Sequence, residues 1–497
     1  MLIKIGELNK KVFIVGSGFS GLSAASFMAK AGFDVTVLEK HATPGGRARQ
    51  LVENGFHFDM GPSWYWMPDV FERYFASFEK NVSDYYALRR LDPSYRVFWK
   101  DDHTDIPSGA DAIKKLFESW EKGSGEQLDK FLAEAGYKYK MSMQKLVYRP
   151  GLALSEFADA ELMRGLMRMD MFTSVRSHIA KYFSHPRIKQ LLEFPVLFLG
   201  ALPGNTPALY TLMNYADIEG GTWYPEGGMY SIVKGMYTLA EELGVKFIFN
   251  EEVNGFGIEN GRINRINTLH NSYPADIVIA SADYHFIEQQ LLPEQYRTYT
   301  SSYWNKKVMA PSCILYYVGL DKKISNVAHH NLFFDTSFEK HCKEIYTKRA
   351  WPDEPLFYVS VSSKMDASAA PNGYENLFFL VPVSAGLTGD DNALRDHFFN
   401  KIIERFEKHT GEKISDNIIY KKSFACSDFV NEYHSFKGNA YGLANTLQQT
   451  AYLKPKCKSS KLSNLYYTGQ LTVPGPGVPP SLISGEVVAK VACSYTN

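Results

Sequence analysis

Short apolar runs, separated by glycine and by a helical stretch of small side chains, characterise the first forty residues. The apolar run 12–15 is typical of a buried strand, and it leads directly into the glycine-rich turn 16–21. Residues 22–31 favour a helix, and the apolar run 35–38 predicts a second strand that ends at Glu39. This order of strand, glycine turn, helix, strand and acid is the pattern of a dinucleotide-binding unit.

Each residue type in this unit suits the binding of a nucleotide pyrophosphate. Gly16 permits a tight turn, Gly18 lets the backbone approach the phosphates, and Gly21 allows helix and strand to pack closely. The start of the helix presents unpaired amides and the positive end of its dipole to the anion. Glu39 can accept hydrogen bonds from both ribose hydroxyls, and its charge disfavours the 2′-phosphate of NADP. The cofactor-binding residues predicted in this unit are Gly16, Ser17, Gly18, Phe19, Ser20, Gly21, Glu39 and Lys40.

A second glycine pair follows the acid and indicates FAD rather than a nicotinamide. Backbone amides at Gly45 and Gly46, together with the cation Arg47, suit the longer pyrophosphate and ribityl chain of a flavin. A turn over residues 59–63 follows the predicted strand 56–58. Its predicted cofactor contacts are Gly61, Pro62 and Ser63. The alternative interpretation is a basic surface loop followed by an ordinary turn.

A turn rich in glycine and proline lies near the C-terminus. The predicted strand 464–470 leads into residues 471–480, and a final helix follows. Such a turn exposes backbone amides at the start of the helix, where the polar edge of a flavin can bind. The contacts predicted here are Gly469, Gln470, Gly477 and Val478.

The glycine turn, Glu39, residues 45–47 and the turn 59–63 resemble the flavin amine oxidase and phytoene desaturase superfamily. Many flavin amine oxidases carry an acid at the position of Gln470, so the chain departs from them there. The segments that instead resemble the bacterial and fungal type of phytoene desaturase are 198–204, 209–212, 224–229 and 471–485.

The resemblance implies a non-covalently bound FAD in an α/β fold. A Rossmann-like FAD-binding domain of the glutathione reductase type is expected, with a mixed antiparallel-sheet substrate domain and a helical, membrane-associated lobe. A backbone contact from Val253 to the adenine is also implied. The predicted parts are 1–78, 223–300 and 456–497 for FAD binding, 79–222 for the helical lobe, and 301–455 for the substrate sheet.

The segment 161–199 is unusually apolar and rich in methionine. Flexible methionine side chains suit adaptable apolar binding. Interspersed basic residues, among them Arg176, are typical of a helix at a lipid headgroup layer. A buried helical lobe with a basic, solvated edge explains the same pattern equally well.

The activity implied by the resemblance is dehydrogenation of a conjugated C40 chain, with hydride passing to the flavin. Phytoene, converted to lycopene, is the first choice of substrate, and a hydroxylated or cyclised carotenoid desaturated at its 3,4 bond is the second. An amine or porphyrinogen oxidase stays open, as does a non-catalytic FAD protein that carries or isomerises a polyene. No catalytic base is identified: the carboxylates of Asp217 and Glu219 are candidates, but surface or helix-cap roles explain them as well.

The composition and the net charge argue against some classes of binding partner. Acidic and basic residues number 54 each, so no positive surplus supports nucleic-acid binding. The five cysteines show neither metal-ligand spacing nor a disulfide pattern, and no histidine pair indicates a metal. No apolar run approaches the roughly 20 residues of a membrane-spanning helix. From these features we expect a cytoplasmic protein, peripherally associated with a membrane surface. The resemblance further implies a lipophilic carotenoid as substrate and quinone or oxygen as electron acceptor. The sequence does not indicate an oligomeric state.

Overall fold

The computed structural model describes residues 10–157 and 173–496. Its strands are, in chain order, β1 (Lys11–Val15), β2 (Asp34–Leu38), β3 (Gln50–Glu53), β4 (Phe56–Asp59), β5 (Leu88–Arg90), β6 (Tyr95–Phe98), β7 (His103–Ile106), β8 (Trp223–Pro225), β9 (Lys246–Ile248), β10 (Val253–Glu259), β11 (Arg262–Thr268), β12 (Ser272–Pro274), β13 (Ile277–Ala280), β14 (Ser312–Leu320), β15 (His330–Phe333), β16 (Phe357–Ser360), β17 (Glu375–Val383), β18 (Ile418–Phe424) and β19 (Leu465–Tyr467). Its α-helices are Phe19–Lys30, Pro68–Ala76, Ala110–Trp120, Ser124–Met141, Val175–Ile179, Pro186–Glu193, Leu212–Ile218, Tyr230–Glu242, Tyr284–Phe286, Ser301–Asn305, Phe338–Lys343, Asn392–Thr410, Cys426–Tyr433 and Val478–Thr496.

A five-stranded parallel sheet contains the predicted dinucleotide-binding unit. Its order is β19-β13-β1-β2-β9, which places the glycine turn after the central strand. Both predicted strands of the unit are confirmed. Val12 and Ile14 pack toward helices, whereas Phe13 and Val15 pack on the other face with residues of β10 and β11. Because both faces are covered, the strand is apolar without interruption.

The first and last helices of the described chain pack closely against each other. A Cβ atom added at Gly485, in the helix Val478–Thr496, would lie 2.5 Å from the carbonyl oxygen of Ser20. Ser23 Oγ donates a hydrogen bond of 2.7 Å to the carbonyl of Leu482. The contact therefore depends on a small residue at position 485, and it brings the C-terminal turn beside the glycine turn.

A seven-stranded sheet forms the second layer, in the order β18-β14-β17-β16-β15-β6-β7. All its neighbouring pairs are antiparallel except β15 with β6, so the predicted mixed antiparallel sheet is confirmed. Strands β6 and β7 pair with Tyr95 opposite Ile106. The sheet thus joins strands from the region 79–222 to those from 301–455.

The apolar segment 161–199 lies partly outside the described residues, which omit 158–172. The rest forms two short helices, Val175–Ile179 and Pro186–Glu193, followed by a 3₁₀ helix, Phe194–Leu199. Pro186 is the first residue of its helix and Pro195 is the second residue of the 3₁₀ helix, positions where proline is tolerated because they lie in the first turn. Among the helices of residues 10–157 and 173–496, none has the length and apolar character needed to cross a bilayer.

Candidate active site

A cavity of about 900 Å³ lies at the carboxyl ends of β1, β2 and β13 and extends to the seven-stranded sheet. This end of a parallel sheet is where nucleotides bind in such folds. The predicted cofactor residues on its wall are Gly16, Ser17, Gly18, Phe19, Ser20, Glu39, Lys40, Gly45, Gly46, Arg47, Gly61, Pro62, Ser63, Val253, Gly469, Gln470, Gly477 and Val478. Gly21 does not belong to that wall.

The three glycines of the first turn have different surroundings. Gly16 has φ +99°, a left-handed conformation that favours glycine. A Cβ at Gly21 would lie 2.1 Å from the carbonyl oxygen of Gly16, so this glycine is needed for the turn itself. A Cβ at Gly18 would meet no atom within 4 Å. The backbone at Gly18 therefore faces open space, as the close approach of a pyrophosphate requires.

Glu39 is buried and joins three segments at the end of β2. One carboxylate oxygen accepts hydrogen bonds from the backbone amide and the hydroxyl of Ser17, at 2.8 and 2.6 Å. The other accepts a hydrogen bond of 3.0 Å from the amide of His41. These bonds fix the carboxylate on the cavity wall beside the glycine turn, at the position expected for a ribose contact.

Arg47 directly follows the second glycine pair, and its guanidinium contacts the segment 433–439. The amide of Gly45 donates to the carbonyl of Ser17 at 2.9 Å, which brings the two glycine segments together. Arg47 Nη2 donates to Ser435 Oγ at 2.8 Å, but its buried Nε has no partner in the structure. Burial lowers the pKa of Arg47, while the nearby charge of Asp283 opposes that shift. A buried cation with an unsatisfied donor fits an anionic group in the cavity.

The C-terminal turn meets the cavity beside the first glycine turn. Gly469 has φ +106°, and its amide donates to Ser484 Oγ at 2.9 Å. Gly477 has φ +115° and precedes Val478, where the last helix begins. The start of this helix lies on the cavity wall. Pro479 and Pro480 have no N–H, and the amide of Ser481 donates to the carbonyl of Gly477 at 3.0 Å. Of the first four helix positions, only Val478 can therefore offer its amide to a polar ligand edge, fewer than the sequence predicts.

The other end of the cavity is apolar and aromatic. Its wall includes Trp64, Met143, Leu199, Leu212, Leu315 and Tyr441. The carboxylates among the described lining residues are Glu39, Glu251, Glu252, Asp283 and Glu432. These five belong to the loops after β2, β9 and β13 and to the helix Cys426–Tyr433, at the nucleotide end. The apolar end can therefore hold a long hydrocarbon without placing it against a buried charge.

A tyrosine and a histidine lie together at the apolar end. Tyr358 is on the cavity wall, and its hydroxyl is 2.6 Å from Nδ1 of the buried His330. The imidazole of His330 stacks on Trp64 with ring centres 4.2 Å apart. Burial, followed by the charge of His329, lowers the pKa of His330 well below its usual value, so the imidazole is neutral at pH 7. Sequence patterns did not reveal this pair.

The carboxylates considered from sequence as bases lie away from this cavity. Asp217 is buried and accepts hydrogen bonds from Thr222 Oγ1 at 3.0 Å and Tyr95 Oη at 3.4 Å. Glu219 is exposed to solvent, and Arg176 forms an ion pair of 3.0 Å with Glu193. Neither carboxylate belongs to the cavity wall. Within residues 10–157 and 173–496, no cluster of His, Cys, Asp or Glu could hold a metal ion.

A comparison with models of known protein families gives a match that covers these motifs. Residues 19–493 match the model of the flavin containing amine oxidoreductases. The chain belongs to this family. It is an FAD-dependent oxidoreductase, as the sequence predicts, and its fold class is that of the family.

Two curated relatives indicate to which type of enzyme within the family the chain is similar. The chain is 42% identical to a carotenoid 3,4-desaturase of Haloarcula japonica over 96% of its own length and 97% of the relative's. It is 29% identical to the zeta-carotene-forming phytoene desaturase of Myxococcus xanthus, over 97% and 93%. These relatives confirm the resemblance to the phytoene desaturase type of this family.

One solved structure has the same fold as this chain although the two sequences have low identity. A crystal structure of an oxidoreductase from Methanosarcina mazei superposes with a TM-score of 0.60, at 16% identity, over 97% of this chain and all of that one. At that identity the similarity supports the fold alone.

The residues on the cavity wall fit FAD, the cofactor of the family. The open space at Gly18 offers a place for the pyrophosphate, and the unsatisfied Nε of Arg47 offers a cation for its charge. The amide of Val478, at the start of the last helix, is a donor for a polar ring edge. The individual contacts, including the backbone contact from Val253, stay predictions.

Proposed function

We propose that the protein is a carotenoid desaturase that introduces a 3,4 double bond into a hydroxylated or cyclised C40 carotenoid. The observation that carries the proposal is the continuity of the cavity: one space of about 900 Å³ has a nucleotide end and an apolar, aromatic end. An amine oxidase would need polar groups for its substrate at the second end. The relative that is 42% identical over nearly the whole chain is a carotenoid 3,4-desaturase, which supports this bond as the target.

FAD supplies the hydride acceptor for such a reaction. The chain positions the polyene along the apolar wall and excludes water from the reacting carbons. The second hydrogen must leave as a proton, and the Tyr358–His330 pair is the proton acceptor that the apolar end offers. Tyr358 Oη takes the proton and passes its own to His330 Nδ1. The lowered pKa makes this imidazole a weak base. A weak base suffices for this step, because the C–H bond next to the carbon that has lost hydride is strongly acidic.

Phytoene is the second candidate substrate. The relative from Myxococcus xanthus is named a phytoene desaturase, and the chain is 29% identical to it over 97% of its length. The sequence alone put phytoene first. The higher identity to the 3,4-desaturase reverses that order in the present proposal.

A peripheral membrane location is part of the proposal. Leu154 and Leu453 line the cavity and are 68% and 52% exposed, so the cavity opens to solvent beside exposed apolar side chains. These two residues define the mouth of the cavity. A carotenoid dissolved in a bilayer could pass from lipid to the cavity across such a rim. Quinone or oxygen is the proposed electron acceptor.

The decisive experiment is anaerobic and uses the purified chain loaded with FAD. Liposomes containing a hydroxylated carotenoid, a cyclic carotenoid or phytoene are added separately, and flavin absorbance and polyene absorbance are followed together. Bleaching of the flavin with a red-shifted polyene is expected for the hydroxylated or cyclic substrate. Turnover of phytoene alone would favour the second candidate, and bound flavin without bleaching by any of the three would refute desaturation.

A further inference from the structure

A second cavity, of about 260 Å³, lies outside the FAD and substrate cavity. Three cations line it, namely Lys307, Arg349 and Lys437. Among the described residues on its wall, none is an aspartate or a glutamate. The remaining polar side chains on the wall include those of Thr347, Thr446 and Asn205. The lining therefore combines positive charge with hydrogen-bond donors.

Within the described part of the chain, no carboxylate forms an ion pair with the three cations of this cavity. Lys307 Nζ lies 4.3 Å from the ring centre of Tyr303, and Lys437 Nζ donates to the carbonyl of Asn305 at 3.2 Å. Burial lowers the pKa of Lys307. Burial, followed by the charge of Arg349, lowers the pKa of Lys437. A bound anion would offset the repulsion between Arg349 and Lys437 and would stabilise the charged form of the partly buried Lys307.

Two of the three cations are held in an unfavourable backbone conformation. Arg349 has φ +52° and Lys437 has φ +56°, both in the left-handed region that non-glycine residues seldom adopt. The carbonyl of Lys437 accepts a hydrogen bond of 2.7 Å from the amide of Gly386, which fixes the turn. Such strained conformations persist only where the surrounding structure enforces them, and they cluster at ligand-binding sites.

We propose that this cavity binds a phosphate group, and that its source is the headgroup of an anionic membrane lipid. The planar guanidinium of Arg349 can donate two parallel hydrogen bonds to phosphate oxygens, and the lysines supply further charge. The hydroxyls of Thr347 and Thr446 are positioned on the same wall as additional donors.

The position of the cavity favours a lipid over a free phosphate. Val308, on its wall, is 37% exposed and is bound to Gln449 by hydrogen bonds of 3.0 and 2.8 Å. The same loop places Thr446 on this cavity and Asn445 and Leu453 on the substrate cavity. A headgroup bound here would hold the mouth of the substrate cavity against the bilayer. This choice of source rests on the proposed function, whereas phosphate binding does not.

Two double variants with the same loss of charge test the proposal on the full chain loaded with FAD. The site pair is Lys307→Gln with Arg349→Gln. The control pair is Lys306→Gln with Lys348→Gln, which changes the exposed neighbouring lysines that do not line the cavity. Binding is measured to phosphatidylcholine vesicles with and without about 20 mol% phosphatidic acid, since anionic lipid attracts basic residues. Thermal unfolding is measured with about 10 mM inorganic phosphate against chloride of equal ionic strength, since a bound ligand stabilises the folded state.

The wild type is expected to prefer the anionic vesicles, and the site pair should bind them about 25-fold more weakly, since each basic residue at an anionic surface contributes a factor of about five. The control pair should bind clearly more tightly than the site pair. A second outcome is that the two pairs bind vesicles equally, while inorganic phosphate raises the unfolding temperature of the wild type and the control pair but not of the site pair. In that case the site takes a free phosphate and the lipid source is wrong. Equal behaviour of both pairs with vesicles and with phosphate would overturn the proposal. None of these measurements needs substrate turnover, so they stand whether or not the desaturase assay succeeds.

Discussion

The substitution Gly18→Val separates cofactor binding from folding. Gly18 has φ −69° and ψ 176°, an extended conformation that valine adopts readily. No atom lies within 4 Å of a Cβ at this position, so the protein itself has room for the added carbons. Because Gly18 is the N-cap of the helix Phe19–Lys30, replacing it with valine should lower the free energy of unfolding of the apoprotein by only about 1 kcal/mol.

The effect on FAD should be much larger than the effect on folding. The added methyl groups occupy the space assigned to the pyrophosphate and prevent its approach to the backbone amides. A hydrogen bond to a charged group contributes about 1.5 to 3 kcal/mol, so losing two of them weakens FAD by at least about 3 kcal/mol, or more than 100-fold. The purified variant should be colourless after desalting.

Calorimetric titration of the apoprotein with FAD measures the affinity, and urea unfolding of the apoprotein measures the stability. Gly204→Val is the matched control, because a Cβ at Gly204 also meets no atom within 4 Å and the residue does not line the cavity. That variant should bind FAD as the wild type does. A folded Gly18→Val protein that retains its yellow colour would refute the pyrophosphate assignment.

Three further substitutions test the site. Glu39→Gln should weaken FAD by about 1 to 3 kcal/mol in the same titration, since a buried charged acceptor is lost; unchanged affinity would remove Glu39 from the site. Tyr358→Phe should slow desaturation by about 10² to 10⁴ with FAD affinity unchanged, as measured by product formation under anaerobic conditions, and a normal rate would exclude it as proton acceptor. Asp217→Asn should leave the rate unchanged. Burial raises the pKa of Asp217 to about 7, so the wild type loses stability as pH rises from about 4 through 7, by as much as about 4 kcal/mol at about 1.36 kcal/mol per pH unit. The variant lacks this loss of stability. Urea unfolding of both proteins at pH 5 and pH 8 measures the difference, and an equal change of the unfolding free energy between the two pH values in both proteins would contradict the assignment.

The contiguous motifs were predictable because their chemistry is local. The strand before Gly16, the turn and Glu39 are close in sequence, and each residue type has one physical role in a dinucleotide site. The sequence therefore predicted strands β1 and β2 and the cofactor. The same holds for Gly477 and Val478, where a turn rich in glycine and proline precedes a helix.

The apolar end of the cavity could not be predicted, because it depends on the register of distant strands. His330 and Tyr358 are 28 residues apart and meet only because β15 pairs with β16, with His330 opposite Ser360. Histidine and tyrosine have no local signature that distinguishes this pair from others in the chain. Asp217 is a different case: the sequence offers it as a candidate base with a surface or helix-cap role as the alternative. Only the structure shows that its carboxylate is buried away from the cavity and accepts hydrogen bonds from Thr222 and Tyr95.

The packing of the first helix against the last has a consequence for biosynthesis. The wall of the FAD cavity requires both the glycine turn at 16–21 and the segment that begins at Gly469. At about 5 to 20 residues per second, a ribosome needs on the order of 20 to 90 s to travel between them. During that interval the nascent chain exposes the face of the helix Phe19–Lys30 that Gly485 later covers. We therefore expect FAD to bind only after translation is complete, and a chain that stalls before the last helix should be recovered without flavin.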